Sequence, residues 1–166
     1  MNQASHYADL LDWLIGPVDS VVAYTGTLAR DIAVEHAGVA ALEWRNGPMG
    51  SIDVTMLADA KNLERSITVL GKKGAVRIGG VAVNEIQHWE FSGSDAVDAT
   101  LASVVMRQLL ATVMVSRSAY DNVINTLNGE AEPEADGREG LRSLELPIAM
   151  YQSARDGRRM CLPLEF

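Results

Sequence analysis

The spacing of apolar and polar residues divides the chain into a helical start, a long β-rich middle and a helical end. Near the start, apolar residues recur at the spacing of one helical face, at Tyr7, Leu10, Leu11 and Leu14. Gly16-Pro17 follows, and this pair typically ends a helix because Gly accepts the conformation of a C-terminal cap and Pro cannot continue the helix. The pattern predicts a first helix that ends before Gly16.

Alternation with a period of two, typical of strands, fills the middle of the chain. The predicted strands cover residues 18–28, 39–45, 52–56, 65–70, 75–78 and 85–91. Asn46-Gly47 and the run GKKG at residues 71–74 separate neighbouring strands and are typical of tight hairpin turns. Such turns join antiparallel neighbours, so this region predicts a mainly antiparallel sheet.

The apolar spacing becomes helical again towards the end of the chain. Residues 96–127 and 140–155 are predicted helices, and Pro147 should kink the second of them. The apolar face of that second helix is predicted at Leu141, Leu144, Ile148 and Tyr151. Residues 160–164 are predicted to return as an edge strand.

The order of these elements indicates an α+β fold, a mainly antiparallel open sheet with helices packed on one face. We predict a single domain over residues 1–166. The other face of the sheet is predicted to carry Thr25, Thr27, Glu43, Arg45, Asp53 and Thr55. A face of this kind is either hydrated or packed against another subunit.

The amino-acid composition of the chain excludes several classes of protein. The chain has 166 residues, of which 48% are hydrophobic, enough for a core that needs no disulfide or metal. Its formal net charge of −8 argues against a nucleic-acid partner. No apolar run is long enough to cross a membrane. The single cysteine, Cys161, excludes an intrachain disulfide, and its apolar neighbours predict a buried side chain in a cytoplasmic protein.

Several common motifs are missing from the sequence. No Gly-x-Gly-x-x-Gly opens a strand–turn–helix unit, so the chain shows no dinucleotide site of its own. The GKKG run lies between two predicted strands and is therefore a hairpin rather than a phosphate loop. His6, His36 and His88 are far apart and lack the spacing of metal ligands, so no metal site is predicted.

His6 is the best candidate for chemistry. It stands at the start of the first helix, and helix N-termini readily accept anionic or hydrogen-bonding ligands. An imidazole can take a hydroxyl proton near neutral pH, and Asp9, one turn later, is placed to orient it. On spacing alone, a single histidine at a helix start is more often a surface or capping residue than a catalytic one.

Three segments carry a family resemblance. Residues 1–14, MNQASHYADLLDWL, contain a His-x-x-Asp pattern, residues 136–145 resemble the last helix of a known family, and residues 149–157 follow in that family's order. Together they resemble the C-terminal domain of the Gfo/Idh/MocA oxidoreductases. The runs NQASH at residues 2–6, KNLE at 61–64, VAVNEI at 81–86 and YDNVI at 120–124 resemble the branch that oxidises C3 of UDP-N-acetylglucosaminuronate for polysaccharide biosynthesis.

The resemblance implies the substrate-side half of a two-domain, cytoplasmic dehydrogenase. In that family a Rossmann domain, absent from this chain, holds NAD or NADP, while the histidine matching His6 assists proton removal from the sugar hydroxyl. The open sheet commonly builds homodimers or homotetramers. The isolated chain is therefore expected to be inactive, and its expected ligand is a UDP-sugar. The alternative is a non-catalytic oligomerisation or ligand-binding α+β module.

The remaining candidates would bind the substrate. Besides His6, the resemblance points to Asn2, Gln3, Lys61, Asn62, Arg65 and Tyr120. Lys61 and Arg65 would offset the negative charge of a nucleotide sugar acid, or else are solvated surface charges. Asn62 would bind a sugar hydroxyl or cap a turn, and Tyr120 would contact substrate or pack in the core. Asn2 stands where many relatives carry Asp.

Overall fold

The computed structural model describes residues 4–29, 31–57, 65–80, 83, 85–93, 115–133 and 136–165. The helices in these ranges are α1 (Ala4–Ile15), α2 (Val115–Leu127) and α3 (Gly137–Asp156). The strands are β1 (Val18–Gly26), β2 (Ala37–Trp44), β3 (Met49–Thr55), β4 (Ile67–Gly71), β5 (Gly74–Gly79), β6 (Glu85–Phe91) and β7 (Met160–Cys161). The predicted α+β order of helix, strands and helices is confirmed. The predicted helical stretch before residue 115 lies outside the described residues.

The strands form two antiparallel sheets, and these belong to two compact units of the chain. The first unit comprises Met1–Leu57 and Ala135–Phe166, and the second comprises Ala58–Glu134. The sheet of the first unit has the order β3-β2-β1-β7, and that of the second has the order β4-β5-β6.

Hairpins set the register of the first sheet. In the turn between β2 and β3, the Gly47 amide donates to the Trp44 carbonyl at 2.9 Å. Gly47 has a φ of 99°, which a residue with a side chain rarely adopts. The predicted Asn46-Gly47 turn is thus confirmed, and it places Leu42 opposite Gly50 on one side and Val21 on the other.

The core lies on one face of this sheet. Alternate residues of the central strands are buried there, including Val21, Ala23, Ala40, Leu42, Trp44 and Ile52. Helix α3 packs on β1, and α1 packs against α3, so the helices cover the same face. This arrangement confirms the predicted layering of helices on one side of an antiparallel sheet.

The predicted apolar face of α3 is wrong. The side chains that reach the core are Leu146, Ala149 and Met150, and Leu146 is only 5% exposed. Leu141, on the predicted face, is 55% exposed. Helix α3 carries apolar residues on two sides. The side that contains the small Ala149 packs on the sheet, because a small residue lets the helix approach the strands closely. Helix α1 shows the same effect, because its most buried residue is Ala8.

The other face of the first sheet is more apolar than predicted. Glu43, Asp53 and Thr55 are exposed there as expected. Thr25 falls in register with the inward Val21 and Ala23, and Thr27 follows the end of β1, so their assignment to the outer face is wrong. Apolar side chains are also exposed on this sheet, at Val22, Tyr24, Val39 and Met49.

A short C-terminal segment completes the first unit. Strand β7 pairs with β1 at the edge of the sheet, as predicted, although it is only two residues long. Beyond it, the Leu162 amide donates to the Asp19 carbonyl at 2.8 Å, and the Leu164 amide donates to Glu145 Oε1 at 2.7 Å. Cys161 is exposed, so the prediction of a buried thiol is wrong, because its position on the edge strand points it outward.

The second unit contains a three-stranded meander. Gly71 pairs with Gly74 across the tight turn between β4 and β5, which confirms the predicted hairpin. The amide and hydroxyl of Ser92 both donate to the Lys73 carbonyl, at 2.7 and 3.0 Å, and hold the turn against the end of β6. Trp89 and Phe91 lie on one face of β6, with ring centroids 5.2 Å apart.

Candidate active site

His6 lies in the first turn of α1 with an exposed side chain. Asp9, also exposed, follows one turn later on the same side of the helix. The opposite side of α1 is buried through Ala8, which belongs to the core cluster. The helix is therefore fixed by its apolar side and presents an imidazole and a carboxylate to the surroundings.

Hydrogen bonds at the end of α1 hold the helix in place. The Gly16 amide donates to the Asp12 carbonyl at 2.8 Å, and Gly16 takes a positive φ of 109°, as in a glycine C-cap. The Asn46 side-chain amide donates to the Ile15 carbonyl at 2.9 Å. The β2–β3 hairpin thus caps the helix that carries His6, a role of Asn46 that the turn motif alone did not reveal.

A second contact ties α1 to α3. The Ser143 hydroxyl donates to Asp9 Oδ1 at 2.5 Å. The two residues are 134 positions apart in sequence, so no local pattern indicates the pair. Ser143 thus contacts the helix that carries His6, and sequence reasoning did not identify it.

Tyr151 and Glu35 form another pair in this unit. The Tyr151 hydroxyl donates to Glu35 Oε1 at 2.5 Å. Burial, and then this hydrogen bond to the carboxylate, raise the pKa of Tyr151 to about 12. For Glu35, burial acts to raise the pKa but is outweighed by hydrogen bonds to the carboxylate, Tyr151's among them, so the pKa is lowered. Near neutral pH the pair is a phenol bound to a carboxylate, and it ties α3 to the β1–β2 loop.

A cavity of about 300 Å³ opens between α1, α3 and the C-terminal segment. Its charged lining residues are Asp12, Arg45, Arg142 and Glu145, two of each sign, and His6 is not among the lining residues. Arg45 donates to the Leu162 carbonyl at 3.1 Å, and Glu145 accepts the Leu164 amide. Two of its four charged groups thus hold the C-terminal segment, and the four charges balance, so the cavity offers no net positive charge to an anionic sugar.

Comparison with known proteins identifies the family. Residues 1–162 match the model of the oxidoreductase family C-terminal alpha/beta domain of the Gfo/Idh/MocA group. The chain belongs to this family. The predicted resemblance is thereby confirmed over nearly the whole sequence.

Solved structures confirm the narrower resemblance. The WlbA dehydrogenase of Bordetella pertussis, in complex with NADH and UDP-GlcNAcA, is 58% identical over 99% of the chain, with a TM-score of 0.87. The WlbA dehydrogenase of Chromobacterium violaceum, with the same two ligands, is 62% identical over 100% of the chain, with a TM-score of 0.84. A curated D-apiose dehydrogenase of Paraburkholderia graminis is 27% identical over 161 residues.

The chain spans about half the length of these relatives. It covers 48% of the Bordetella chain, 46% of the Chromobacterium chain and 42% of the D-apiose dehydrogenase. The matched part is the C-terminal domain of the Gfo/Idh/MocA oxidoreductases.

The structure places some of the candidate site residues. His6 lies in the first unit, whereas Arg65, just before β4, and Tyr120, on α2, lie in the second. Tyr120 is 71% exposed, which rules out the core-packing role and leaves it open to a ligand. The other four candidates lie outside the described residues: Asn2, Gln3, Lys61 and Asn62.

The described residues contain neither the parallel strands of a dinucleotide-binding domain nor a cluster of metal ligands. Their paired strands are all antiparallel. Within the same ranges, no group of three His, Cys, Asp or Glu side chains could hold a metal ion. Nor does any helix in the described part of the chain have the length and apolar character needed to cross a membrane.

Proposed function

We propose that this chain is the substrate-side domain of an NAD-dependent dehydrogenase that oxidises a sugar hydroxyl, at C3 of a UDP-linked uronic acid. One observation carries the proposal. The chain is 58% and 62% identical, over essentially its whole length, to two WlbA dehydrogenases in complex with NADH and UDP-GlcNAcA. The cofactor, NAD rather than NADP by this likeness, would be held by a Rossmann domain beyond these 166 residues.

In the proposed reaction, His6 accepts the proton of the sugar hydroxyl. Its exposure on a rigid helix leaves the imidazole accessible to a ligand, and an imidazole exchanges protons readily near neutral pH. A nicotinamide held by the other domain would accept the hydride from the carbon that bears this hydroxyl. The described residues contribute proton transfer and positioning.

The remaining candidates would bind the nucleotide sugar. Arg65 and Lys61 supply positive charge for its phosphate and carboxylate groups, which the net charge of −8 makes necessary. The amides of Asn2, Gln3 and Asn62 suit sugar hydroxyls. The exposed ring of Tyr120 suits stacking on a base or a sugar.

The outer face of the first sheet supports an assembly role in the same enzyme. Tyr24 is 74% exposed there, beside the exposed Val22 and Val39. Contiguous apolar surface of this kind marks interaction sites. We propose that this face joins copies of the protein into a homodimer or homotetramer in the cytoplasm. If the His6 chemistry fails its test, this face favours the alternative, a non-catalytic oligomerisation module.

The test joins this chain to the dinucleotide-binding part of the Chromobacterium WlbA dehydrogenase. The fusion should reduce NAD with UDP-GlcNAcA, and the 166-residue chain alone should not. His6→Ala should lower kcat by about 10²–10⁴-fold, the usual contribution of a general base. The matched control, His88→Ala, changes an exposed histidine on β6 and should leave the rate unchanged.

Binding of NADH shows whether the fusion is folded, so that a lack of activity can be attributed to this chain. NADH fluorescence first establishes that the fused dinucleotide-binding domain is folded. A fusion that binds NADH but does not oxidise UDP-GlcNAcA would contradict the proposed function. An undiminished rate in His6→Ala would contradict the role of His6 and favour the oligomerisation module.

A further inference from the structure

The spacing of His6 and Asp9 on α1 makes their side chains neighbours on one side of the helix. Residues three apart on a helix have neighbouring side chains, with Cβ atoms about 5–6 Å apart. The Cα–Cβ bonds of a helix tilt towards its N-terminus, so the side chain of Asp9 leans over the turn that contains His6. An exposed carboxylate on a helix surface nevertheless samples several rotamers unless another group holds it.

Ser143 provides such a hold. Its hydroxyl donates to Oδ1 of Asp9 at 2.5 Å, which leaves Oδ2 to accept a hydrogen bond from another donor. Ser143 is half-buried, and α3 is anchored on the sheet by Leu146 and Ala149, one and two turns later. The hydroxyl is therefore attached to the rigid core of the first unit.

We propose that Ser143 is a positioning residue for His6 and acts through Asp9. Its hydroxyl fixes the carboxylate, and the carboxylate in turn holds the imidazole in one orientation and one tautomer. This inference rests on the proposed function of His6 as the proton acceptor. An imidazole held in one tautomer keeps its other ring nitrogen unprotonated and directed at the substrate hydroxyl.

Nuclear magnetic resonance of the 166-residue chain tests the arrangement without the reaction. Long-range ¹H–¹⁵N spectra report the tautomer of each histidine, and His6→Gln assigns the His6 signals. In the wild type, His6 should show one dominant tautomer above neutral pH. Ser143→Ala and Asp9→Asn should both give a mixture, Ser143→Thr should restore the dominant form, and the His36 and His88 signals should stay unchanged.

Two outcomes would overturn the proposal. If Asp9→Asn alters the His6 tautomer and Ser143→Ala does not, Ser143 does not act through Asp9. If neither changes it, the carboxylate does not hold the imidazole. Should Ser143→Ala fail to fold, the comparison of Ser143→Thr with Ser143→Cys gives the same decision, since only Thr keeps a strong hydroxyl donor.

Kinetics of the fused enzyme separates this proposal from the proposed function. Ser143→Ala should lower kcat by about tenfold, a part of the general-base contribution, with KM for UDP-GlcNAcA within about twofold. Leu144→Ala, at an exposed neighbour on α3, is the control and should change neither parameter. If His6→Ala is fully active while the tautomer shifts are as expected, the role of His6 as the proton acceptor fails and the Ser143–Asp9–His6 arrangement stands.

Discussion

At the scale of single residues, the first unit depends on a few polar groups that connect distant parts of the chain. Ser153, on α3, is one of them. It is buried, its hydroxyl accepts the Ala23 amide at 3.0 Å, and it donates to the Arg158 carbonyl at 2.6 Å. The Ala23 amide lies beyond the short pairing with β7, so the serine replaces a missing strand partner.

We therefore expect Ser153→Ala to lower the free energy of unfolding by about 1–3 kcal/mol, because it leaves the buried Ala23 amide without a partner and removes the hydrogen bond to the Arg158 carbonyl. Urea denaturation of the chain measures the change. Ser51→Ala, on an exposed position of β3, is the matched control and should stay within about 0.5 kcal/mol of wild type. Equal effects of the two substitutions would contradict the bridging role.

The Tyr151–Glu35 pair predicts a pH dependence at the alkaline end. The pKa of Tyr151 is raised from 10.0 to about 12, so folding favours the protonated phenol. Its contribution to stability is complete below about pH 10 and is lost as the pH rises towards 12. Wild-type stability should therefore fall more steeply than that of Tyr151→Phe over this interval, as thermal unfolding at several pH values would show. Parallel curves would contradict the pairing.

The histidine inside the core leads to an unusual expectation. His36 is 2% exposed, and neither ring nitrogen has a hydrogen-bond partner. Burying a polar group without a partner costs free energy, and an apolar group of similar size avoids this cost. His36→Leu should therefore match or exceed wild type in the midpoint of urea denaturation. A loss of more than about 2 kcal/mol, as in a cavity-forming substitution, would show that the ring does have a partner.

At the scale of elements, the two faces of α3 offer a direct test of the packing. Leu146→Ala should destabilise the chain by about 2–5 kcal/mol, because its side chain fills the space between α3 and the sheet. Leu141→Ala removes the same atoms from an exposed position and should cost less than about 1 kcal/mol. If Leu141→Ala destabilised the chain more than Leu146→Ala, the apolar face predicted from the sequence would be correct after all.

The contrast between strands and helices shows what the sequence determines locally. Strand β6 has the predicted bounds, and both hairpins form where Asn46-Gly47 and the GKKG run indicated, because turn chemistry acts over a few residues. The buried side of α3 was not predictable in this way, since its two apolar faces have the same period. The contacts of Ser143 with Asp9 and of Glu35 with Tyr151 join residues more than a hundred positions apart, which no local pattern indicates. His6 is a candidate because of its position at a helix start and the family resemblance, and its role stays a prediction.

At the scale of the whole molecule, the proposed assembly of the protein through the exposed side of the first sheet can be tested with a single charge. Val39 lies on β2, an interior strand, opposite Tyr24 of β1 and Asp53 of β3. A lysine at the centre of an apolar interface would be desolvated without a partner, which disfavours association. On the surface of a monomer, the same lysine would be solvated and would hardly change the free energy of unfolding.

Val39→Lys should accordingly reduce the mass of the fused enzyme, measured by light scattering, to that of a monomer or a smaller assembly. The variant should still unfold at a temperature typical of a folded monomer. Leu127→Lys is the matched control. It introduces the same charge at an apolar side chain that is 82% exposed on α2, in the second unit, and should leave the mass unchanged. A monomeric wild type, or an unchanged assembly in Val39→Lys, would contradict the proposal that the outer face of the sheet joins copies of the protein. A loss of mass in both variants would instead point to a general effect of added charge.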